Sequence, residues 1–513
     1  MNKPLTITLA VLAMFLVPLA ILLLMPLPTL PDPGKPAQVL LRQVSLIDVQ
    51  DGSVHKDQDV LAQNGRISAI YAAGAGPKPA GVTEIDGQGK FLLPGLWDMH
   101  THSTKLAPQT YHPQLLANGV TGIREMWGCM SEPDSFIACA DDIRRWQQQS
   151  GFSPRYVQQS SFQINDGLEV PPNYPEFFRA RTADDITQLV SFYAKSGVDS
   201  LKTYSQLPLI TYQLLAEEAQ KQGIALAGHQ PMAVSLQQLI DAGQRSIEHP
   251  RLFLFECYQD AVDFRARSNP LSAFYGDLRL KLLEQQDPDK CGQLMDNMAQ
   301  SNTWWTPTLQ VLKMSAMAND KAFREDANLT YMPYILRQLM WEPDADRSAK
   351  GAHHASGRNL HNELYLLALK QVGQAHRAGV KILAGTDAGD TYVLPGFGLH
   401  TELAELVKAG LTPAQALKSA TLDAARYSGL DSQYGTIEVG KVADLLLLNA
   451  NPLENIHHTT QIHGLLFNGK YYDRQALDSL LQFAKQQANS LQTNLHLLWR
   501  LFASPLIRQQ LAD

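Results

Sequence analysis

Two histidines separated by one residue, His100 and His102, follow the apolar stretch FLLPGLWDM. On an extended strand, residues i and i+2 point to the same side, so both imidazoles can reach one ion. Most isolated pairs of this kind bind nothing. Here, however, three further residues end other apolar runs: His229 after IALAG, His249 after RSIE and Asp387 in KILAGTD. In a barrel of parallel strands the C-terminal strand ends converge on one mouth. Four imidazoles and a carboxylate so placed supply nitrogen and oxygen ligands suited to zinc. Lys202, in GVDSLKTY, takes a corresponding strand-end position. Spacing alone makes it a surface or ion-pair residue. A buried lysine loses its proton readily, however, and the free amine can take up CO2 as a carbamate, an anionic bridge between two cations.

The elements that must hold these residues alternate. Ser200 to Tyr204 precedes the helix-like TYQLLAEEAQKQG, which precedes the apolar Ile224 to Ala227. VSLQQLIDAGQ then leads to Ser246–His249, and NELYLLALKQVGQAHRAG leads to Val380–Ala384. Repeated strand–helix units indicate a parallel sheet covered by helices, and the length favours an α/β fold of the (β/α)8 TIM-barrel type over an open doubly wound sheet. No GxGxxG or GxxxxGK[ST] phosphate loop occurs, which weakens a nucleotide-binding reading. Two β-rich stretches flank the alternating middle. Val39 to Ile47 and Asp59 to Ile70, with the hairpin turn Asn64-Gly65, lie before it; Gly435 to Ala450 and Gly464 to Tyr472 lie after it. They predict a small β-sandwich assembled from both ends of the chain.

The expected organisation is therefore an N-terminal anchor over residues 1–31 and a small β domain in two parts, 38–94 and 433–476. A barrel spans 95–432, with insertions at about 250–300 and 315–360, and a helical extension covers 477–513. The insertions are rich in charged, Met and aromatic residues and are read as loops over the site mouth. No charged residue lies between Lys3 and Asp32, and this apolar run is long enough for a membrane helix. It exceeds an ordinary signal-peptide core, so an uncleaved anchor is favoured over a removed signal. Lys3 and the α-amine favour an N-terminus held in the cytoplasm and an exported remainder, periplasmic in a bacterium. In that oxidising setting the local pairs Cys129–Cys139 and Cys257–Cys291 are favoured, although four cysteines allow three pairings. The net charge of −7 and the lack of a Lys/Arg-rich run give no support to a nucleic-acid partner.

Seven ordered motifs carry a resemblance that spans most of residues 38–476. They are LLPGLWDMHTHS (92–103), GVDSLKTY (197–204), AGHQ (227–230), AGQRSIEHP (242–250), AGVKILAGTDAG (378–389), LHTELAELVKAGLTPAQALKSATLDAARYSGL (399–430) and GTIEVGKVADLLLLNANPLENI (435–456). With these the chain resembles the amidohydrolase superfamily, in its imidazolonepropionase-like and Xaa-Pro dipeptidase (prolidase)-like branch. The resemblance implies that His100 and His102 bind the more buried of two zinc ions and His229 and His249 the second. Lys202 would be the carboxylated bridge, and Asp387 a metal ligand and proton shuttle. Imidazolonepropionases use one metal and lack the bridging lysine, so Lys202 moves this chain towards the two-metal, peptidase-like members. Two divalent ions about 3.5–4 Å apart acidify a shared water, and Asp387 would take its proton and deliver it to the leaving amine.

The expected substrate is a small molecule with an amide bond, a dipeptide or an N-acyl amino acid. A cyclic amidohydrolase or a deaminase using the same site is the alternative, and a non-catalytic, membrane-tethered binding scaffold is the alternative of another class. For substrate contacts, the resemblance places Tyr204 near the substrate, and Arg124, after VTGI, could neutralise a substrate carboxylate. A packing role for Tyr204 and a structural ion pair for Arg124 compete with these readings. Sequence leaves the oligomeric state, including a homo-oligomer, open.

Overall fold

The computed structural model describes residues 17–36, 38–131, 133–149, 152–267, 270, 274 and 278–512. Its centre is a parallel sheet of seven strands in sequential order: β1 (Leu96–Thr101), β2 (Val120–Glu125), β3 (Arg155–Ile164), β4 (Ser200–Thr203), β5 (Ala225–Gly228), β6 (Ser246–Glu248) and β7 (Trp304–Thr306). Residues of β1, β2, β4 and β6 are buried throughout, as expected of strands covered on both faces.

The eighth position is filled less regularly. Residues 380–388 join β7 through a parallel bridge at Trp305–Ile382 and β1 through one at Thr101–Ala388. The amides of Met99 and Asp387 donate to the carbonyls of Ala384 and His100, which closes the ring. Gly385 permits this approach, because a Cβ there would stand 2.8 Å from the His100 nitrogen. The (β/α)8 expectation thus appears as seven regular strands and one irregular segment, whose extra turn aims Asp387 inward.

Helices follow the strands with ordinary stop signals. Ala183–Ser196 starts in a capping box of Thr182 and Asp185 and ends at Gly197 with φ 80°; Leu360–Ala378 ends at Gly379.

The two ends of the chain meet in a nine-stranded, mostly antiparallel sheet with its own apolar cluster, including Val39, Leu41, Val60, Leu445, Leu447 and Leu466. Hydrogen bonds link all nine strands in one network. The physical reason lies in Val39–Ile47. Register shifts around Gln43, whose φ is 55°, break this strand into two halves. The first half pairs with Thr83–Asp86 and the second with Phe91–Pro94. This sheet is fastened to the barrel by Arg155 of β3, whose Nε donates to Asp444 at 2.7 Å, and by the Gly95 amide donating to the Asp444 carbonyl.

The predicted insertions are mainly helical, including Leu252–Glu256, Pro288–Gln300, Leu309–Met317 and Glu342–Gly351. The disulfides are Cys129–Cys139 and Cys257–Cys291. The C-terminal extension forms helices Arg474–Ala488, Leu491–Ala503 and Pro505–Ala512. Leu477, Leu480, Leu497 and Leu501 turn inward, whereas Leu491, Trp499 and Phe502 are exposed. Most of the expected anchor (residues 1–16 of 1–31) lies outside the described residues. Among the described residues no helix is long and apolar enough to cross a membrane.

Asp444→Ala is expected to lower stability by about 3 kcal/mol, because it leaves Arg155 without its carboxylate in a largely buried junction. Urea unfolding of the variant should show an earlier transition, and an unchanged midpoint would show that this junction contributes little.

Candidate metal centre and cavity

Each candidate ligand sits where a barrel strand ends. His100 and His102 lie at the end of β1 and just beyond it; Lys202 lies in β4, His229 follows β5, His249 follows β6 and Asp387 ends the eighth segment. Two of these positions require unusual backbone: His249 has φ 76° and Asp387 φ 70°. A non-glycine residue in the left-handed region carries strain of order 1–3 kcal/mol, held in place by the surrounding structure. Here the His249 amide donates to the Thr306 carbonyl, the Trp305 indole donates to the His249 carbonyl and the Asp387 amide donates to the His100 carbonyl.

The side chains form two adjacent groups. In the deeper one, Nε2 of His100 and Nε2 of His102 each lie 3.3 Å from Oδ1 of Asp387. Nζ of Lys202 stands 3.5 Å from His102 Nε2. In the outer group, Nε2 of His249 and Nε2 of His229 face each other at 2.8 Å. Oδ2 of Asp387 lies 3.7 Å from Nδ1 of His249 and so reaches between the groups.

The imidazoles are oriented from behind. Nδ1 of His100 meets Glu248 Oε2 at 2.9 Å, Nδ1 of His229 meets Ser205 Oγ at 2.8 Å, and Nδ1 of His249 meets Thr308 Oγ1 at 3.0 Å. Such contacts to the far ring nitrogen leave Nε2 free to act as a ligand.

The electrostatics suit a cation. Burial, reinforced by Lys202 and neighbouring positive groups, holds all four histidines well below the ordinary imidazole range, so they are neutral. Burial also brings the Lys202 ammonium down to about 8, against the opposing pull of Asp387, Glu248 and Glu125. Burial and then the Asp390 carboxyl push Asp387 well above the ordinary carboxylate range. His100 Nε2 and Asp387 Oδ1 are buried and have no hydrogen-bond partner among the described residues. Unpaired acceptors facing one another in a buried site are costly unless a cation joins them. The donor set therefore fits a divalent metal, with ligand atoms of His100, His102 and Asp387 within 4.8 Å of one another.

Arg124 does not occupy the place that a substrate-carboxylate partner would need. It is buried beneath the metal-ligand group, and its Nη2 donates to both Glu248 oxygens at 2.8 Å. Its Nε donates to the Met99 carbonyl and its Nη1 to Ser246 and Tyr427. With its hydrogen-bonding capacity spent inside the barrel, Arg124 is a structural ion-pair residue. Tyr204 does line the cavity, its ring 4.0 Å from that of His229.

Three participating groups went unread in the sequence. Asp98 accepts hydrogen bonds from the amides of His100 and Thr386, and so aligns two ligand segments. Its signal was available, since it lies two residues before His100 on the same face of the strand. Glu248 adjoins His249 but orients His100, and Arg251 lines the cavity; neither has a local signal that predicts this.

The ligands open into a cavity of about 450 Å³. One part is lined by Gln163, Asn165, Glu169, Gln206 and Gln510, another by Trp127, Phe136, Val311, Leu336 and Met340. The last three and Arg251 come from or border the insertions, so these segments do wall the site mouth.

Strands that place histidines, a lysine and an aspartate around one barrel mouth form a site suited to a divalent metal. Residues 367–472 match the model of the amidohydrolase family, a segment that includes Asp387. Over that segment, a minor part of its length, the chain is similar to the amidohydrolase family. A 5-methylthioadenosine/S-adenosylhomocysteine deaminase of Moorella thermoacetica is 35% identical over 113 residues, 17% of this chain and 26% of the relative. An adenine deaminase of Desulfatibacillum aliphaticivorans is 30% identical over 90 residues, covering 17% and 15%. The matches thus span about a quarter or less of these relatives. Among solved structures, a bottromycin amidohydrolase superposes with TM-score 0.68 at 21% identity, covering 92% of this chain and 94% of its own. A Xaa-Pro dipeptidase superposes with TM-score 0.60 at 20% identity, covering 85% and 100%. Both show the same fold.

Glu248→Ala is expected to weaken zinc binding by about 10–100-fold, because His100 loses the carboxylate that orients it. Competition with a chromogenic chelator measures this, and unchanged zinc affinity would remove Glu248 from the site.

Proposed function

We propose that this protein is a metal-dependent hydrolase of a carbon–nitrogen bond, acting on a dipeptide or an N-acyl amino acid. The observation that carries the reading is the convergence of three neutral imidazoles, His102, His229 and His249, with Asp387 and the buried Lys202 at one cavity, and of His100 buried behind them against Asp387. His100, His102 and Asp387 would hold one divalent ion and His229 and His249 a second, with carboxylated Lys202 between them. The metal, when bound, polarises the scissile carbonyl and acidifies water.

The chain's own residues supply the remaining functions. Asp387 reaches both ligand groups, and its carboxyl is held at a high proton affinity by burial and by Asp390. It therefore accepts a proton from the attacking water at one oxygen and returns it to the leaving nitrogen. Lys202 is suited to carbamate formation because burial gives it a substantial free-amine fraction near pH 8. Glu248, Thr308 and Ser205 keep the imidazoles in place, and Tyr204 presents its phenol edge beside His229.

Deamination is the second reading, favoured by the names of the two curated relatives. The products separate the two: a free amino acid supports the leading proposal, and ammonia without chain cleavage supports deamination.

We also propose that the apolar N-terminal stretch tethers the chain to a membrane, with the barrel on the exported side. The uncharged run between Lys3 and Asp32 supports this. So does an apolar surface next to it: Gln492 donates to the Leu22 and Met25 carbonyls, and Leu491, Trp499, Phe502 and Leu24 are exposed.

Asp387→Asn is expected to lower kcat at least 100-fold on a panel of dipeptides and N-acyl amino acids, the scale of lost general acid–base catalysis. Its circular dichroism should stay that of the wild type. Near-wild-type hydrolysis by the purified variant would sink the assignment. Lys202→Met is expected to reduce bound zinc from two ions to one or none by elemental analysis; two retained ions would rule out the lysine bridge.

A further inference from the structure

Arg251 is a cation in the cavity wall that makes no ion pair among the described residues. It lies two residues beyond His249 and immediately precedes the helix Leu252–Glu256. Its Nε is buried without a hydrogen-bond partner among the described residues. Its guanidinium carbon stands 5.5 Å from the centre of the Phe274 ring.

Of the nearby carboxylates, Glu256 pairs with Arg265 and accepts from Gln230, whereas Asp390 lines the same cavity as Arg251 and feels its charge without an ion-pair contact among the described residues. Arg124, the other arginine close to the metal ligands, is saturated by Glu248. Arg251 thus differs from the other described cations among the ligands: Arg124 is paired, and burial lowers the Lys202 ammonium to about 8.

A guanidinium carries donors in a planar fork that matches a carboxylate, and such pairs strengthen where water is excluded. Packing against Phe274 suits this weakly hydrated head group and reduces its competition with solvent. Its position also fits the direction of the reaction. Arg251 lines the cavity together with His229, His249, Asp387 and Asp390, the outer ligands and the proton-carrying segment. In an amide of an α-amino acid the carboxylate carbon is two bonds from the nitrogen that leaves. An anion-binding group beside the residue that protonates this nitrogen is therefore well placed for that carboxylate.

We propose that Arg251 binds the free α-carboxylate of the leaving amino acid and so restricts the enzyme to substrates whose scissile bond precedes a C-terminal residue. This inference rests on the hydrolase reading above and sharpens it. Val311, Leu336 and Met340 of the same cavity offer apolar surface to a substrate side chain. Cyclic amides and nucleobase amines lack the anion that Arg251 requires.

The test compares zinc-loaded full-length protein with Arg251→Met and Arg251→Lys on L-dipeptides and their C-terminal amides. The wild type should prefer the free acids. Arg251→Met should lower kcat/KM for the acids about 100-fold, mainly through KM, the scale for losing one partner of a desolvated charge pair. The amides should change less than about twofold by the same reasoning, and Arg251→Lys should retain part of the preference. Equal losses for acids and amides, or no acid preference in the wild type, would overturn the proposal. If the wild type cleaves neither series, calorimetry with N-acetyl-L-leucine and N-acetyl-L-leucinamide decides separately. Acid-selective binding lost in Arg251→Met supports the carboxylate site and places the failure in the proposed reaction. Absence of that selectivity overturns the site itself.

Discussion

The Arg124–Glu248 pair crosses the barrel interior from β2 to β6, with neither side chain appreciably exposed. Two charges this deep persist only when every strong donor and acceptor is engaged, since a desolvated ion without partners is costly by several kcal/mol. The surrounding bonds meet that demand. Arg124 also reaches Met99 of β1, Ser246 of β6, Thr306 of β7 and the Tyr427 hydroxyl. Glu248 uses its remaining capacity on Ser246 and on Nδ1 of His100. One ion pair thereby sets the spacing of strands on opposite sides of the barrel and the orientation of a metal-binding imidazole. Exchanging it for apolar residues could preserve a packed core, but nothing would then orient His100.

Above this base the ligand residues are held by geometry that a regular barrel strand does not provide. His249 and Asp387 both leave their strands through left-handed backbone, and the eighth segment pairs only through single bridges. Asp98 ties the two irregular places together by accepting from His100 and Thr386 and from the Thr386 hydroxyl. Burial pushes its carboxyl up to about 7 even with these donors around it. The irregularity of the eighth segment is thus coupled to function: it turns Asp387 towards both ligand groups, where a continued strand would alternate its side chains across the sheet.

The walls of the cavity have a different origin from its floor. Strand ends supply the ligands, whereas segments between and beyond the strands supply Val311, Leu336, Met340, Arg251 and Gln510. Gln510 comes from the last helix, and its neighbour Gln509 donates to the Leu168 carbonyl, so the C-terminal extension borders the mouth. A shared floor with separately built walls is how one barrel scaffold accommodates different substrates.

What could be read in the sequence was whatever depends on local periodicity. Alternating strands and helices indicated the barrel, the i, i+2 spacing placed His100 and His102 on one side, and apolar runs marked the strand ends carrying His229, His249 and Asp387. Asp98 was legible by the same rule and went unread. Other features depended on contacts between residues far apart in the chain. Arg124 and Arg251 are alike in sequence, yet one is spent on Glu248, 124 residues away, and the other lines the cavity with no ion pair among the described residues. Strand pairing in the small sheet met the same limit, because strand composition does not reveal which edges pair once a bulge divides Val39–Ile47. The sequence by itself determined which side chains could bind metal, since periodicity sets the direction of a side chain from its own backbone. Tertiary structure alone decided which charges are neutralised, which lysine is buried and which arginine lines the cavity, because desolvation and pairing belong to the packed environment and not to the residue.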